Sequence, residues 1–536
     1  MGKVVFPQFR RARDGVEARS DTILEHARRA GIEIASDCGG RGQCRKCVVN
    51  VESGEEHLFP PTPAEEEAGL EGGERLACQA RVRDTSGTVR VLIRAFGRYS
   101  ILTEGQELAV EPEPFVEKRG TRVFIDGSPA GKADGVLAGL AVDLGTTTLV
   151  VEAVDLESGK SLGRVACLNP QMEHGNDVIS RIGYAMTHPE GAAVLQREVM
   201  GAVNGCVNEL GLPAEAIYEA VCVGNSTMVS AAAGRHLASL GVIPFEPASK
   251  APEYCAASAV SLRANPAARA YFAPLIGGHA GADCLADIIT ARLDQREETS
   301  LVIDIGTNGE VIVGNRQKMM SASCAAGGAY EGATVSCGAG AVEGAIKNIW
   351  ITDDHVAYET IGGKPPIGIC GSGLIDLLAE LLRTGHMSKT AKIKENFCVV
   401  DDVCITQQDI YELITAKAGL RLDQDLLMKY YGVELDDVQR IFLAGGFGNF
   451  ISPENAVAIG LLPGAPQKVV RIGNGALTGA HEMLISRSMR RKAEEIARKG
   501  LDAAIAVLQE DASHNSYDHL FEPWAIYYRG DDGFSA

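Results

Sequence analysis

VDLGTTT, from Val142 to Thr148, returns in outline as VIDIGTNGE, from Val302 to Glu310. Each copy runs from an apolar stretch into an aspartate, then a glycine, a threonine and further apolar residues. The first set is Asp143, Gly145 and Thr146; the second is Asp304, Gly306 and Thr307. A strand–turn–strand of this kind puts small residues and backbone N–H groups where a phosphate can approach, and the hydroxyls of Thr146, Thr147 and Thr307 add hydrogen bonds. Two aspartates ending strands at one cleft suit Mg²⁺, which takes a few protein oxygens beside water and phosphate. One copy would be weak evidence. A third segment strengthens it: FLAGGFGNF, Phe442 to Phe450, where Gly445, Gly446 and Gly448 follow a buried strand and admit an adenosine against the backbone. The three together point to ATP.

Working outward, strand and helix patterns alternate from about Leu137, the mark of α/β architecture. The repeat divides this region into two similar subdomains, about 137–300 and 301–480, facing one cleft. VGNST, Val223 to Thr227, ends another strand, and Asn225 either lines the cleft or makes a turn. Residues 481–536 read as a long helix, EMLISRSMRRKAEEIARKGLDAAIAVLQ, and an aromatic tail with Phe521, Trp524, Tyr527 and Tyr528 that packs on the core.

Residues 1–95 have a different character, that of a compact α+β unit. Val4–Phe6 predicts a first strand, and SDTILEHARRAG a short helix capped by Ser20 or Asp21 and stopped at Gly31. CVVNVES and TVRVLIRA predict further strands. Between the helix and these strands lies DCGGRGQCRKC, with Cys38, Cys44 and Cys47; Cys78 is the distant fourth. Four thiolates complete a [2Fe–2S] cluster, and Gly39, Gly40 and Gly42 let the loop wrap it at positive φ. A zinc site is the rival reading, but zinc ribbons usually carry two CxxC knuckles and this chain offers one, Cys44–Cys47. Residues 96–136 read as a linker holding one small hairpin.

Composition narrows the function classes. At 536 residues the chain exceeds one core. A formal charge of −19 argues against nucleic acid, and no apolar run is long enough for a membrane span. With fourteen cysteines and an N-terminus lacking the apolar core of a signal peptide, a reducing cytoplasm is expected. The ten cysteines outside the cluster are expected to be small buried hydrophobes. Arg28, Arg29, Arg41, Arg45 and Lys46 make a basic edge near the ligands, either solvated or facing an acidic partner.

The first unit resembles the β-grasp [2Fe–2S] ferredoxins; its five-residue gap from Cys38 to Cys44 matches the adrenodoxin-type branch. The region 137–479 is similar to the superfamily of acetate and sugar kinases, Hsp70 and actin. That resemblance implies a phosphate grip by Asp143–Thr148 (Thr148 included) and Asp304–Asn308 (Asn308 included), and an adenosine grip by Gly445–Gly448. In those relatives a carboxylate opening the connecting helix orients or deprotonates the attacking nucleophile. Here that is Asp283, whose alternative role is the helix N-cap.

The two units in series, together with NPQMEHGNDVISRI (169–182), SASCAAGGAYEGA (321–333) and GICGSGLIDLLAELL (368–382), resemble the ATP-dependent reductive activators of corrinoid proteins. The resemblance implies a [2Fe–2S] cluster, ATP and Mg²⁺ as cofactors, and Asp143, Asp304 and Asp283 as the catalytic carboxylates. It implies a corrinoid methyl-carrier protein as partner, taken from Co(II) to Co(I), with an upstream electron donor; a homodimer stays open. The short stretch ahead of the first DxGT implies a reduced or missing middle domain. Plant-type clusters sit near about −400 mV, and each ~59 mV of shortfall costs about 1.4 kcal/mol for one electron, within reach of ATP. Other classes stay open: an activator of an acyl-CoA dehydratase or reductase, a small-molecule kinase with a redox-sensing appendage, and a redox-responsive binding module.

Overall fold

A computed structural model describes residues 2–6, 15–30, 32, 34, 39–43, 47–68, 70, 73–93, 110–133, 135–175, 177–278, 280–306, 308–324, 329–330, 335–352, 355–400, 403–446, 448–499 and 502–503. Cys38, Cys44, Arg45, Lys46, Thr307 and the aromatic tail from 504 lie outside them.

The first unit is a five-stranded mixed sheet, ordered Val16–Glu17, Lys3–Val5, Thr88–Ile93, Val48–Ser53, Glu74–Leu76. Lys3–Val5 runs parallel to Thr88–Ile93 and the other pairs are antiparallel. The helix Ile23–Arg29 covers one face, with Ile23, Leu24 and Ala27 buried against Val4, Phe6, Val89 and Val91. Its cap is Thr22, one residue past the expected Ser20 or Asp21. Thr22 and Glu25 form a reciprocal capping box, which satisfies two otherwise orphaned backbone donors. A buried pair, Glu65 and Arg75, ties the short helix Pro63–Ala68 to the edge strand at 2.9 Å.

The linker holds more than one hairpin. Val116–Arg119, Arg122–Ile125 and Ser128–Lys132 form a three-stranded antiparallel sheet. Two tight turns make it, each with a left-handed glycine, Gly120 and Gly127, the second preceded by Asp126 in the same region of φ.

Beyond it stand two sheets built alike. In the first, Ser161–Leu168, Thr148–Asp155 and Ala138–Leu144 form an antiparallel meander, which continues in parallel through Ile217–Gly224 and Arg269–Phe272. In the second, Met319–Cys324, Gly309–Gly314 and Ser300–Ile305 form the meander, continued in parallel through Arg440–Ala444 and Val469–Gly473. The same order of these five strands in both is the duplication announced by the DxGT repeat. The sixth strands differ, Glu253–Ala256 joining the first sheet beside Arg269–Phe272 and Asp502–Ala503 the second beside Met319–Cys324. This is the actin/Hsp70-like α/β architecture behind a β-grasp ferredoxin unit.

The helices Ala282–Ala291 and Gly475–Ile485 cross between the sheets. A Cβ on Gly479 would lie 2.5 Å from the Ala286 carbonyl oxygen, so only glycine allows this approach. Gly475–Ile485 runs across position 480, where the C-terminal segment was expected to begin. That segment is also not one helix: a second, Arg487–Lys499, starts after Ser486, which is extended. Ser486 bridges to Glu113, with Glu113 N–H bonding to Ile485 O at 2.7 Å and Arg487 N–H to Glu113 O at 2.9 Å. Arg487 also reaches Pro114 O and Glu117, both at 2.9 Å. Arg490, fully buried, pairs with the equally buried Glu219 at 2.8 Å between the rings of Phe115 and Tyr271. The strand leading into the first sheet and the last helix are thereby clasped together.

Not every outlying cysteine is a buried hydrophobe. Cys222, Cys284, Cys337 and Cys370 are, but Cys398 and Cys404 form a disulfide across the hairpin Phe397–Val400/Val403–Ile405. Cross-strand neighbours bring their Cα atoms to 3.9 Å, so the apolar setting read in the sequence does not apply there. No described helix is long and apolar enough to cross a membrane.

Candidate functional site: a carboxylate-lined nucleotide cleft and a cysteine loop

Both DxGT turns open onto one cavity of about 160 Å³ between the two sheets. From the first turn Asp143 and Gly145–Thr148 line it; from the second, Asp304, Gly306 and Asn308. Asp283, Asn225, Gly445 and Gly446 complete the residues brought together as expected. Gly448 is not in the wall. Its N–H bonds to Gly445 O at 3.0 Å and closes the turn instead. Gly445 has φ +112, and a Cβ there would meet Ile305 O at 2.4 Å, so the third turn can lie close to the second only as glycine.

The first turn is held from behind. Asn169 donates from its side chain to Gly145 O at 2.9 Å and from its backbone to Thr147 O at 2.8 Å. Arg181 donates to Thr146 O at 2.6 Å. In a planar trans peptide C=O and N–H point opposite ways, so fixing three successive carbonyls aims the N–H groups of Thr146, Thr147 and Thr148 in the other direction. Asn225 does both things left open for it. It caps the helix Ser226–Ala232 by accepting the Met228 N–H, and it donates to Thr146 Oγ1 at 2.9 Å inside the cavity wall. Arg181 is fully buried; burial pushes its guanidinium down to about 10, against the pull of Asp177 and Glu198.

Four carboxylates line the cavity, and a fifth lies behind. Burial raises Asp143 to about 7, opposed by the Asn474 amide at 2.9 Å and assisted by the Asp304 charge. Burial raises Asp304 to about 6, opposed by its bond with Asp287. Asp283 rises to about 7 by burial, against the Cys284 N–H and with the charges of Asp143 and Asp304. Glu310 is driven well above the usual range by burial and then by Asp283 and Asp304. Asp287 is fully buried with no donor to either oxygen, and burial followed by the Asp304 charge drives its carboxyl well above the usual range. Ionising so many buried carboxyls together is unfavourable without a counter-charge. The donors are hard oxygens at a cleft wall, and they fit Mg²⁺.

Asp283 is not the helix cap. That position is Gly281, and Asp283 is the second residue of Ala282–Ala291, its Oδ1 accepting the Cys284 N–H at 2.7 Å. Sequence reasoning passed over Asn474, which caps Gly475–Ile485, and Glu310, which stands opposite Asp304 in the hairpin register. Counting across the hairpin from Asp304 would have found Glu310. Asn474 has only a GNG turn after a strand as its signal. Tyr330 and Gly371 also line the cavity; both lie in the segments 321–333 and 368–382 that carry the family resemblance, though neither was singled out there.

In the first unit the Cys47 and Cys78 thiols are both buried and 3.2 Å apart. Gln79 bonds Gly40 O at 2.6 Å and lies 3.6 Å from the Cys78 sulfur, pinning the glycine loop beside it. Gly39, Gly40 and Gly42 all have positive φ. Two converging thiols beside a loop of left-handed glycines fit a thiolate-ligated cluster. Of the basic edge, Arg28 pairs with Glu173 and Arg29 with Asp21.

These features agree with known proteins. A family model described as the 2Fe-2S iron-sulfur cluster binding domain matches residues 11–83. The RACo middle region matches 138–296, and the C-terminal domain of RACo, the ASKHA domain, matches 298–517. The middle region is therefore present as the first of the two sheets with its helices, contrary to the expectation of its loss. The corrinoid activation enzyme RamQ of Eubacterium limosum is 30% identical over 90% of this chain and 93% of its own length. The [Co(II) methylated amine-specific corrinoid protein] reductase of Methanosarcina barkeri is 25% identical over 71% of this chain and 76% of its own. A solved structure, the reductive activator for corrinoid, iron-sulfur protein, superposes with a TM-score of 0.70 at 29% identity, covering 94% of this chain and 95% of that one. Ferredoxin unit, duplicated ATPase and full-length similarity coincide, and the chain belongs to the family of ATP-dependent reductive activators of corrinoid proteins.

Proposed function

We propose that this chain uses ATP hydrolysis to return a corrinoid protein from Co(II) to Co(I), delivering one electron from an upstream donor by way of Cys38, Cys44, Cys47 and Cys78. The observation that carries this reading is one chain holding a ferredoxin unit and a carboxylate-lined ATPase cleft, similar to a corrinoid activation enzyme over both. When bound, a [2Fe–2S] cluster supplies a one-electron carrier. The balance is simple: ATP and water give ADP and phosphate, the donor loses one electron, and cobalt gains it.

The rest falls to the chain's own side chains. The N–H groups of Thr146–Thr148 and the second turn, Gly306 to Asn308 with Thr307, receive the phosphates. Asp143 and Asp304 are the Mg²⁺ ligands, and Asp283 orients the attacking water from the first turn of its helix. Gly445 and Gly446 leave the adenosine room, with Gly448 closing their turn. A reducing cytoplasm suits the cluster-binding cysteines, and the Cys398–Cys404 disulfide stands apart from them in its own hairpin. Mixing the protein anaerobically with reductant, a Co(II) corrinoid protein and Mg·ATP should yield Co(I) absorbance only when all are present. ATP consumed solely with a metabolite acceptor, and without any corrinoid effect, overturns this reading in favour of a kinase. Cys47→Ser and Cys78→Ser should remove or weaken the cluster by iron analysis and EPR, whereas Cys222→Ser, in its apolar site, should not. Zinc in place of iron overturns the ligand set.

A further inference from the structure

The segment from Asn169 to Arg181 touches both halves of the machine. At one end it holds the first phosphate turn: Asn169 bonds the carbonyls of Gly145 and Thr147, and Arg181 that of Thr146. Arg181 also bonds Gly175 O at 2.9 Å and the Gln171 side chain at 3.3 Å, so the described parts of the segment, 169–175 and 177–181, are braced together. At the other end Glu173 receives the ferredoxin unit. Arg28 pairs with its carboxylate, and the backbone at Gly39 lies against its carbonyl. A Cβ on Gly39 would come within 2.7 Å of Glu173 O. Gly39 directly follows Cys38, so the contact is made by the cysteine loop itself.

The two ends differ in strength. The phosphate end is buried, with Asn169 and Gln171 almost fully covered and Arg181 wholly so. The ferredoxin end rests on an ion pair whose partners are each 47% exposed. Exposed pairs contribute little, so this contact can be made and broken readily while the other cannot.

We propose that Asn169–Arg181 is the coupling element of the molecule, transmitting nucleotide occupancy at the Gly145–Thr147 carbonyls to the seating of the cysteine loop on Glu173. The inference rests on the nucleotide reading of the cleft given above. Phosphate binding on one side of the turn loads the carbonyl bonds on the other. Asn169 and Arg181 shift with them, and the weak Glu173 contact is the one that yields. Glu173 and Arg28 are positioning residues here, since neither lines the cavity.

Hydrogen–deuterium exchange on the full-length, cluster-loaded protein tests this, with and without Mg²⁺ and a non-hydrolysable ATP analogue. In the parent, exchange should change both in a peptide over 145–150 and in one over 23–30. Glu173→Arg should keep the first response and lose the second, because it repels Arg28. Adding Arg28→Glu should restore the second by reversing the pair. A ferredoxin response unchanged in Glu173→Arg, or absent in a parent that responds at 145–150, overturns the coupling. No response at either peptide overturns the nucleotide site itself, and the coupling with it.

Discussion

Across the first hairpin Asp143 faces Val150, whereas across the second Asp304 faces Glu310. Asp143 is met by the amide of Asn474, and Asp304 by the carboxyl of Asp287. Behind the first turn, Asn169 and Arg181 hold three carbonyls; among the described residues the second turn is braced within itself, by Gly306 N–H to Asn308 O at 3.2 Å. The backbone of the repeat is duplicated and its side chains are not. One turn is specialised in aiming N–H groups and the other in gathering carboxyl groups, so equal motifs do not mean equal roles.

The sharpest way to break this comparison is at the carboxylates. Asp304→Ala and Asp143→Ala should each remove ATP turnover while iron content stays at the parent level. Losing the metal's neutralisation of phosphate charge costs several kcal/mol, on the order of a hundredfold or more in kcat. Glu310→Gln should also lower kcat severely, whereas Val150→Ala, its counterpart, should cost about 1–2 kcal/mol of stability with kcat little changed. Steady-state ATPase assays with urea unfolding decide it. A rate loss in Val150→Ala that matches Glu310→Gln would erase the asymmetry.

The buttress gives the next effect. Arg181→Met removes the donor to Thr146 O and leaves buried carbonyls unpaired, at about 1–3 kcal/mol for each orphaned group. It should raise KM for ATP more than it lowers kcat. The reverse split would make Arg181 only a scaffold residue.

The ferredoxin unit supplies a control outside both turns. Burial pushes Glu65 up, but bonds from Arg75 and from the Thr62 and Leu76 N–H groups outweigh it, so its carboxyl sits below the ordinary value. A depressed carboxyl contributes stability that is full above its unfolded value, about 4.3, and is lost as pH falls through the lower folded value. Unfolding of this unit, followed by loss of visible cluster absorbance, should therefore steepen below about pH 4. Glu65→Gln should flatten that limb and cost about 3–5 kcal/mol at neutral pH by stranding Arg75. The smallest effect is expected at the ferredoxin contact, where Glu173→Gln should change global stability by about 0–1 kcal/mol.

How much of this could be read without coordinates follows from locality. The DxGT turns, the GG turn and the glycine loop are short runs whose backbone demands are written in adjacent residues. Asn225 and Asp283 were found because each sits one turn beyond a strand or glycine run. Glu310 required the hairpin register, which was available but not counted. Asn169 and Arg181 could not be assigned, because their work is done on carbonyls 24 and 35 positions away in the chain. The Asp283 cap failed because the helix begins at Ala282, so Gly281 occupies the cap. The second linker turn and the Cys398–Cys404 pairing both depend on cross-strand neighbours, which composition alone does not disclose.

The clasp of Glu113–Glu117 on Ser486–Arg490 bears on how such a chain could be assembled. With the strand before the first sheet and the helix after the second bonded to each other, the two ends of the described ATPase region meet at one seam. Interactions that cross the seam, such as the buried Arg490–Glu219 pair, belong wholly to that closed body. The redox unit lies outside that seam and meets the ATPase on another face, where Arg28 and Gly39 reach Glu173. The nucleotide-binding part is thus fastened by its own ends, and the electron carrier joins it at a separate, more exposed contact.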